Sequence, residues 1–172
     1  MQLMTNLDYF FLAKELSEQL VGSRLNKAYQ IGDKEFRFKF HKEGEKNLVV
    51  QLGCRMHLTK YLQTPPENPS NLARIIRSKL SNARVASVNQ VNFDRIIEFE
   101  IQGAEKYYLV FEMFGKGALY LLNEQRLVEN AFSPVKVERN THYSPPTGSK
   151  AVPKQYAFLG NDFDGEGVEA VC

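Results

Sequence analysis

The sequence lacks the features of secreted, membrane-spanning and disulfide-stapled proteins. Its two cysteines, Cys54 and Cys172, are too few for a disulfide framework, and neither lies in a CxxC pair. No apolar run approaches the roughly 20 residues that a bilayer requires. The start, Met1-Gln2-Leu3-Met4-Thr5-Asn6, has neither the basic residues nor the apolar stretch of a signal peptide. We therefore expect structural thiols, a cytoplasmic location and no membrane partner.

Histidine is also scarce, and its spacing predicts no metal site. The three histidines, His41, His57 and His142, are scattered along the chain without cysteine partners at a metal-binding spacing. We expect neither a metal nor another cofactor.

The chain does contain enough apolar surface for one substantial core, alone or with an appended tail. Of its 172 residues 43% are hydrophobic, including 12 Phe. The net charge of +2 conceals an asymmetry, since residues 1–20 carry −2, residues 21–90 carry +8 and residues 91–172 carry −4. The basic part is consistent with a surface that holds phosphates, and solvated charge is the alternative.

Two stretches have the signals of helices. Residues 5–21 can be capped by Thr5, with Asp8 three residues later in a capping role. A proline-marked turn precedes the second helix, for which Asn68 is the predicted cap and Pro69 the first helical residue. Its apolar spacing predicts a buried face that consists of Leu72, Ile75, Ile76 and Leu80.

Alternation of apolar and polar residues predicts the strands. The clearest covers residues 35–41, where three phenylalanines alternate with Arg37 and Lys39, so that the polar face is basic. Residues 47–52 form a second predicted strand. After the second helix, short polar turns separate a mainly antiparallel run of strands over residues 84–90, 96–101, 107–114, 119–122 and 127–131.

An acid and a base, Asp94 and Arg95, lie where two of these strands meet with almost no loop. Neighbouring residues of a straight strand point to opposite faces, so both side chains reach one ligand only if the chain bends there. The junction supplies such a bend, which makes the pair a candidate site. Since Asp favours turns and Arg often covers a rim, a purely structural pair is the alternative.

Glu112 shares a strand face with Val110 and Phe114, which places its carboxylate among apolar neighbours. Burying that carboxylate unpaired would cost several kcal/mol. We therefore predict an arginine partner, and Arg95 is one candidate.

Basic side chains fall together on the second helix. Arg74 and Arg77 are three residues apart, so both guanidinium groups can face one phosphate, although a solvated face accounts for the spacing equally well. Arg55 and Lys79 are further candidate phosphate contacts.

Together these segments resemble the NFACT N-terminal domain family. The family includes fibronectin-binding-A-like proteins and ribosome-quality-control factors that recruit tRNA to stalled large subunits. The chain departs from the family pattern at two positions. Ser78 stands where the family usually has Lys, and Ala118, which follows Gly117, stands where the family usually has Asn. The matching residues, in the family's order and spacing, are Leu7-Asp8, Ala13-Lys14-Glu15-Leu16, Gly22-Ser23-Arg24-Leu25, Tyr29, Arg55-Met56-His57-Leu58-Thr59, Pro66, Pro69-Ser70, Arg77, Leu80, Gln90, Asp94-Arg95 and Glu112 to Gly117.

The resemblance implies an α+β fold, an antiparallel β-sandwich of two sheets with flanking helices, similar to the N-terminal domain of formamidopyrimidine-type DNA glycosylases. Residues 1–139 are expected to form this NFACT N-terminal-like domain. Residues 140–172, which contain proline and glycine, are expected to be a linker and the start of a following region. Since the family continues into helix-hairpin-helix, coiled-coil and RNA-binding regions, we expect the chain to be a piece of a longer protein.

The resemblance also implies a tRNA-binding module of a ribosome-associated quality-control factor, with tRNA and the stalled large ribosomal subunit as partners. At such a site carboxylates accept hydrogen bonds from base amino groups or sugar hydroxyls, and Arg binds a phosphate or a base edge. This recognition needs no nucleophile or metal, so the domain is not expected to be an enzyme. The implied tRNA-recognition residues are Asp8, Asp94 and Arg95. The resemblance associates a further segment with this activity, which consists of Glu112, Met113 and Phe114. The alternative is that this segment is a strand packed in the core.

Two other functions are weighed against this one. The glycosylases use an N-terminal Pro amine followed by Glu, and the start Met1-Gln2-Leu3 lacks that nucleophile, which leaves a nucleic-acid-binding domain without glycosylase activity. A fibronectin-binding adhesin is less favoured, because no secretion signal is visible.

Overall fold

The computed structural model describes residues 3–146. Within that range neither helix is long and apolar enough to cross a membrane. The elements, in chain order, are α1 (Asn6–Leu20), β1 (Arg24–Gln30), β2 (Glu35–His41), β3 (Glu45–Gln51), β4 (Arg55–Thr59), α2 (Asn71–Leu80), β5 (Arg84–Gln90), β6 (Ile96–Gln102), β7 (Lys106–Glu112), β8 (Ala118–Leu122) and β9 (Val128–Phe132).

The first helix begins with the capping box that the sequence predicts. The Thr5 hydroxyl oxygen accepts from the Asp8 N–H at 3.2 Å, and the Thr5 N–H donates to Asp8 Oδ2 at 2.7 Å. The two bonds satisfy backbone donors that the start of a helix otherwise leaves unpaired. The prediction of this helix is confirmed.

The second helix begins later than predicted. Its cap is Ser70 rather than Asn68, because the Ser70 hydroxyl oxygen accepts from the Ala73 N–H at 3.3 Å. Pro69 therefore precedes the cap and is not the first helical residue. The predicted core face is confirmed by the burial of Leu72, Ile76 and Leu80, with Ile75 packed at its margin.

The nine strands within residues 3–146 belong to one antiparallel sheet, in the order β4-β3-β2-β1-β5-β6-β7-β8-β9. Strands β1 and β5 join its two halves through the pair Arg24↔Arg84. The predicted antiparallel strands with flanking helices are thus confirmed. The predicted division into two sheets is not, since this junction makes the hydrogen-bonded ladder continuous.

The continuous sheet is nevertheless folded back on itself. Phe38 of β2 lies edge-on to Phe111 of β7 with ring centroids 5.4 Å apart, and Phe40 of β2 stacks with Phe99 of β6 at 6.1 Å. Strand β2 is a neighbour of neither β6 nor β7 in the sheet, so these rings meet across the core. Helix α1 contributes leucine side chains to the same core, and α2 contributes leucine and isoleucine side chains.

Two glycine turns meet at one end of the folded sheet. Gly53 lies between β3 and β4 with φ +76°, and Gly117 precedes β8 with φ +75°. A Cβ on Gly117 would lie 2.6 Å from the carbonyl carbon of Leu52 and would also collide with the backbone nitrogen of Gly53. The halves of the sheet therefore touch backbone to backbone here, which only glycine permits.

The packed structure continues past residue 139. Tyr143 is 7% exposed, and its ring lies 4.9 Å from that of Tyr120. Its N–H donates to the carbonyl of Arg126 at 3.0 Å. The part of the predicted linker over residues 147–172 lies outside the described residues.

We predict that Gly117→Ala destabilises the fold by about 2 to 4 kcal/mol, because the new methyl group adds an overpacking penalty to the penalty for a positive φ. Gly115→Ala is the matched control. It also has a positive φ, of +58°, but nothing within 4 Å of a Cβ, so we expect a loss of about 1 kcal/mol. Urea denaturation measures both values, and equal losses would show that the contact between the turns contributes nothing.

Candidate functional site

The chain bends sharply between β5 and β6, where Asp94 and Arg95 lie. Asn92 and Phe93 adopt left-handed φ values of +53° and +49°. The Asp94 N–H donates to the carbonyl of Val91 at 2.9 Å, and Asp94 Oδ1 accepts from the Arg95 N–H at 2.7 Å. The predicted bend is present, and its own hydrogen bonds hold it.

This turn is attached to the first residues of α1. The Gln90 side-chain amide donates to the carbonyls of Asn6 and Asp94, each at 2.9 Å. The ring of Phe93 packs edge-on against that of Phe10 at 6.0 Å. Sequence reasoning missed Asn6, and the pairing of a strand-end glutamine with a helix start offers no local signal.

Asp8 lies on the same helix start, but its carboxylate is already engaged. Its Oδ2 accepts from the N–H and the hydroxyl of Thr5, at 2.7 and 2.9 Å. The residue is exposed to solvent. It can therefore contribute to the rim of a site while it caps the helix.

Arg95 is half-buried, and its Nε–H has no hydrogen-bond acceptor among residues 3–146. The hydroxyl of Tyr9, a fully buried residue, likewise has no partner in that range. Burial raises the pKa of Tyr9, and the positive charge of Arg95 opposes that rise. Buried donors without acceptors are uncommon, and each one calls for an explanation. One explanation for the unpaired Nε–H of Arg95 is that it donates to a ligand.

Glu112 is 8% exposed, and its Oε2 accepts from the Tyr143 hydroxyl at 2.7 Å. Burial raises the pKa of this carboxyl above its ordinary value of 4.5, the Tyr143 hydrogen bond opposes the rise, and the nearby charge of Asp94 adds to it. The predicted arginine partner is therefore wrong. A tyrosine hydroxyl satisfies the carboxylate oxygen without supplying a counter-charge.

The side chains of the two residues after Glu112 pack in two different apolar clusters. Met113 donates its backbone N–H to the carbonyl of Arg95 at 2.7 Å, while its side chain is buried in the main core. Phe114 is half-buried and packs against the smaller apolar cluster that contains Tyr143. Met113 thus positions Arg95 through the backbone. The side-chain role in tRNA binding implied for this segment stays a prediction.

Of the candidate phosphate contacts on α2, Arg77 is committed to the fold. Its Nε donates to the carbonyl of Ala28 at 2.7 Å, and its guanidinium lies 4.6 Å from the ring centroid of Tyr29. Arg74 is exposed, with a long hydrogen bond of 3.4 Å to the carbonyl of Pro69. The two guanidinium groups are therefore not equally available to a phosphate.

The remaining phosphate candidates lie on different elements. Lys79, in the last turn of α2, has its Nζ 3.7 Å from a carboxylate oxygen of Glu129. Arg55 is exposed at the start of β4, an edge strand of the sheet. Both stay predictions as phosphate contacts. In the described part of the chain, no three His, Cys, Asp or Glu side chains are grouped so that they could hold a metal ion.

Comparison with known proteins finds related sequences. Residues 7–155 match the family described as NFACT N-terminal and middle domains. The chain is 37% identical over 130 residues to ribosome quality control complex subunit 2 of Saccharomyces cerevisiae, covering 74% of this chain and 12% of that protein. It is 33% identical over 144 residues to the archaeal Rqc2 homolog aRqcH of Methanocaldococcus jannaschii, covering 79% of this chain and 21% of that protein. The chain thus spans a small part of these relatives.

Solved structures share the fold. The N-terminal domain of fibronectin-binding protein PavA from Streptococcus pneumoniae superimposes with a TM-score of 0.77 at 20% identity, covering 90% of this chain and 67% of that one. The fibrinogen-binding protein from Staphylococcus aureus gives a TM-score of 0.72 at 23% identity, covering 85% and 57%. At these identities the similarity concerns the fold and not the ligand.

We predict that Glu112→Gln raises thermal stability at pH 7. The folded state binds the Glu112 proton more tightly than the unfolded state, so the wild type loses stability as the pH rises from about 4.5 through the raised pKa. Glutamine keeps an acceptor for Tyr143 but has no charge to bury. Melting curves between pH 4 and pH 8 should show a difference that is small at pH 4 and grows toward pH 8.

Tyr143→Phe serves as the comparison variant. It removes the hydroxyl donor, so we expect a loss of about 1 to 3 kcal/mol at pH 7 and a smaller loss at pH 4, where the acceptor is neutral. A Glu112→Gln protein that is less stable than wild type at every pH would contradict the view that the buried charge is costly.

Proposed function

Since the chain belongs to the NFACT N-terminal and middle domain family, we propose that it is the tRNA-binding module of a ribosome-associated quality-control factor. Its sequence relatives include a subunit of a ribosome quality control complex and an archaeal homolog of that subunit, which supports the assignment to ribosome quality control. The proposed partners are tRNA and, through the complete protein, a large ribosomal subunit with a stalled nascent chain. The proposed location is the cytoplasm.

The turn that carries Asp94 and Arg95 is the observation on which the proposal rests. It carries a guanidinium whose Nε–H has no acceptor in residues 3–146 and the carboxyl group of Asp94, whose charge acts on the nearby carboxyl of Glu112 at the end of β7. A guanidinium can grip a phosphate or the edge of a base. Carboxyl groups can accept from base amino groups or from the ribose 2′-hydroxyl, which distinguishes RNA from DNA.

The parts of this site have separate proposed roles. Arg95 makes the direct contact with RNA, and Asp94 holds the turn through its bond to the Arg95 N–H at 2.7 Å. Asp8, exposed on the helix start, contributes an acceptor at the rim. Glu112 contributes a second carboxyl beside Asp94. These roles need hydrogen bonding and positioning alone, so we propose a binding module and not an enzyme.

A matrix-binding function would rest on the solved structures of fibronectin- and fibrinogen-binding proteins that share this fold. Those structures are 20% and 23% identical to this chain, and folds of that kind host unrelated functions. No feature of the described residues favours a matrix protein over RNA. We therefore do not adopt this alternative.

We predict that Asp94→Ala/Arg95→Ala lowers tRNA affinity about tenfold or more, the equivalent of about 1.4 kcal/mol, because the variant loses a charge-assisted contact. Affinity for duplex DNA should change little, since that binding depends on phosphate charge elsewhere. Fluorescence anisotropy with labelled tRNA and labelled duplex, in a salt series, measures both. Circular dichroism checks the fold of each variant.

Asp33→Ala/Lys34→Ala is the matched control. Asp33 and Lys34 are likewise an acid and a base that are adjacent in sequence, and both are exposed in the turn between β1 and β2. We expect wild-type binding of both nucleic acids. If the folded Asp94→Ala/Arg95→Ala protein keeps its preference for tRNA, the pair is structural and the site assignment fails.

A further inference from the structure

The proposed tRNA site is poor in positive charge. Asp8, Asp94 and Glu112 are acids, and Arg95 is the one base among the proposed residues. Affinity for nucleic acid depends largely on phosphates neutralised by Lys and Arg. The site can therefore recognise the bases of an RNA, but the electrostatic attraction for its phosphates must come from another surface of the protein. Residues 21–90, with 13 Lys and Arg against 5 Asp and Glu, contain the charge that could supply it.

Several cations of that segment are already used inside the protein. Arg37, contrary to the half-exposed basic face predicted for β2, is only 5% exposed and donates to the carbonyl of Gln63 at 2.8 Å. Lys39 pairs with Glu45 at 2.8 Å. Lys42 caps the end of α1 by donating to the Val21 carbonyl at 2.8 Å. These side chains stabilise the fold and leave less charge for a ligand.

A cleft of about 790 Å³ opens beside the junction of β1 and β5. Arg24, Arg84 and Gln102 line it, together with Lys79 from α2. Small residues such as Ala86 and Gly103 leave room for a bulky group to approach the backbone. The cleft therefore combines space with a concentration of hydrogen-bond donors.

The donors of the cleft form a row across three strands. Arg24 of β1 is paired with Arg84 of β5, and Arg84 is paired with Gln102 of β6, so the three side chains emerge on one face of the sheet. Like charges directly opposite each other destabilise a sheet. An anion between the two arginines would remove that repulsion.

Neither arginine of this row has a counter-charge among residues 3–146. Arg24 donates through Nη1 to the carbonyl of Asn82 at 2.8 Å, which leaves the rest of its guanidinium available. Both arginines are exposed, and the side chain of Arg84 forms no hydrogen bond or ion pair within the described range. Lys79 contributes less, because it shares its charge with Glu129 at 3.7 Å.

We infer that this cleft binds the sugar–phosphate backbone of the RNA whose bases the Asp94–Arg95 turn reads, an inference that rests on the proposed function. Arg84 and Gln90 are the first and last residues of β5. At about 3.4 Å per residue they are about 20 Å apart, so one RNA must extend over several nucleotides to contact both ends. The cleft supplies attraction and the turn supplies discrimination. An acidic peptide is the competing occupant.

The test is Arg24→Gln/Arg84→Gln in the 172-residue chain, with tRNA binding measured from low to moderate salt. Loss of two phosphate contacts should reduce the slope of log affinity against log salt by about 1.4, at about 0.7 per contact. The melting temperature should stay close to that of wild type, since removal of the like-charge pair offsets loss of the hydrogen bond from Arg24 to the Asn82 carbonyl. Weakened binding would then not result from unfolding.

Lys34→Gln/Lys60→Gln is the matched control, because it removes the same charge from two exposed lysines outside the cleft. We expect its salt slope to stay close to that of wild type. A wild-type slope in the cleft variant, or an equal reduction in the control, would overturn the inference. Polyglutamate that displaces tRNA as effectively as unlabelled RNA of equal charge would overturn the assignment to RNA.

The Asp94→Ala/Arg95→Ala variant, measured in parallel, separates the two proposals. If it loses the preference for tRNA while the cleft variant keeps the wild-type slope, the proposed function stands and the cleft inference fails. If only the cleft variant changes, the cleft inference stands and the turn assignment fails. A folded wild type that binds no tRNA even at low salt overturns both.

Discussion

Packing of phenylalanine rings across the folded sheet is the interaction on which the remaining structure depends. Phe38 and Phe40 of one half meet Phe111 and Phe99 of the other, although their strands are not neighbours in the sheet. Aromatic pairs of this kind contribute about 0.5 to 1.5 kcal/mol each beyond their buried area. By holding the halves face to face, they bring turns from distant parts of the chain to the same end.

That arrangement explains why charged groups gather at the margin of the core. The turn after β5 is fastened to α1 by Gln90, and the end of β7 places Glu112 near Asp94. Buried charge without a counter-charge does not stabilise a fold. Two arginines paired side by side at the sheet junction likewise repel each other and do not stabilise the sheet.

Features that depend on residues close in sequence could be predicted, and contacts between residues distant in sequence could not. The capping box at Thr5, the strand of residues 35–41 and the bend at Asp94 all depend on residues close in sequence, so the local pattern was sufficient to predict them. The partner of Glu112 is 31 residues away, in a stretch with no periodicity, and no sequence rule identifies Tyr143. The continuity of the sheet likewise depends on the pairing of Arg24 with a residue sixty positions later. The role of each candidate side chain in binding stays a prediction.

The hydrogen bond between Tyr143 and Glu112 has a thermodynamic consequence. Tyr143 lies beyond the last strand, yet it covers the carboxyl group and excludes water from it. Displacement of this residue both hydrates the carboxyl and breaks its hydrogen bond, so it changes the proton affinity of the carboxyl, and by linkage ionisation of the carboxyl changes the energy of that displacement. The protonation state of Glu112 and the position of Tyr143 are therefore coupled.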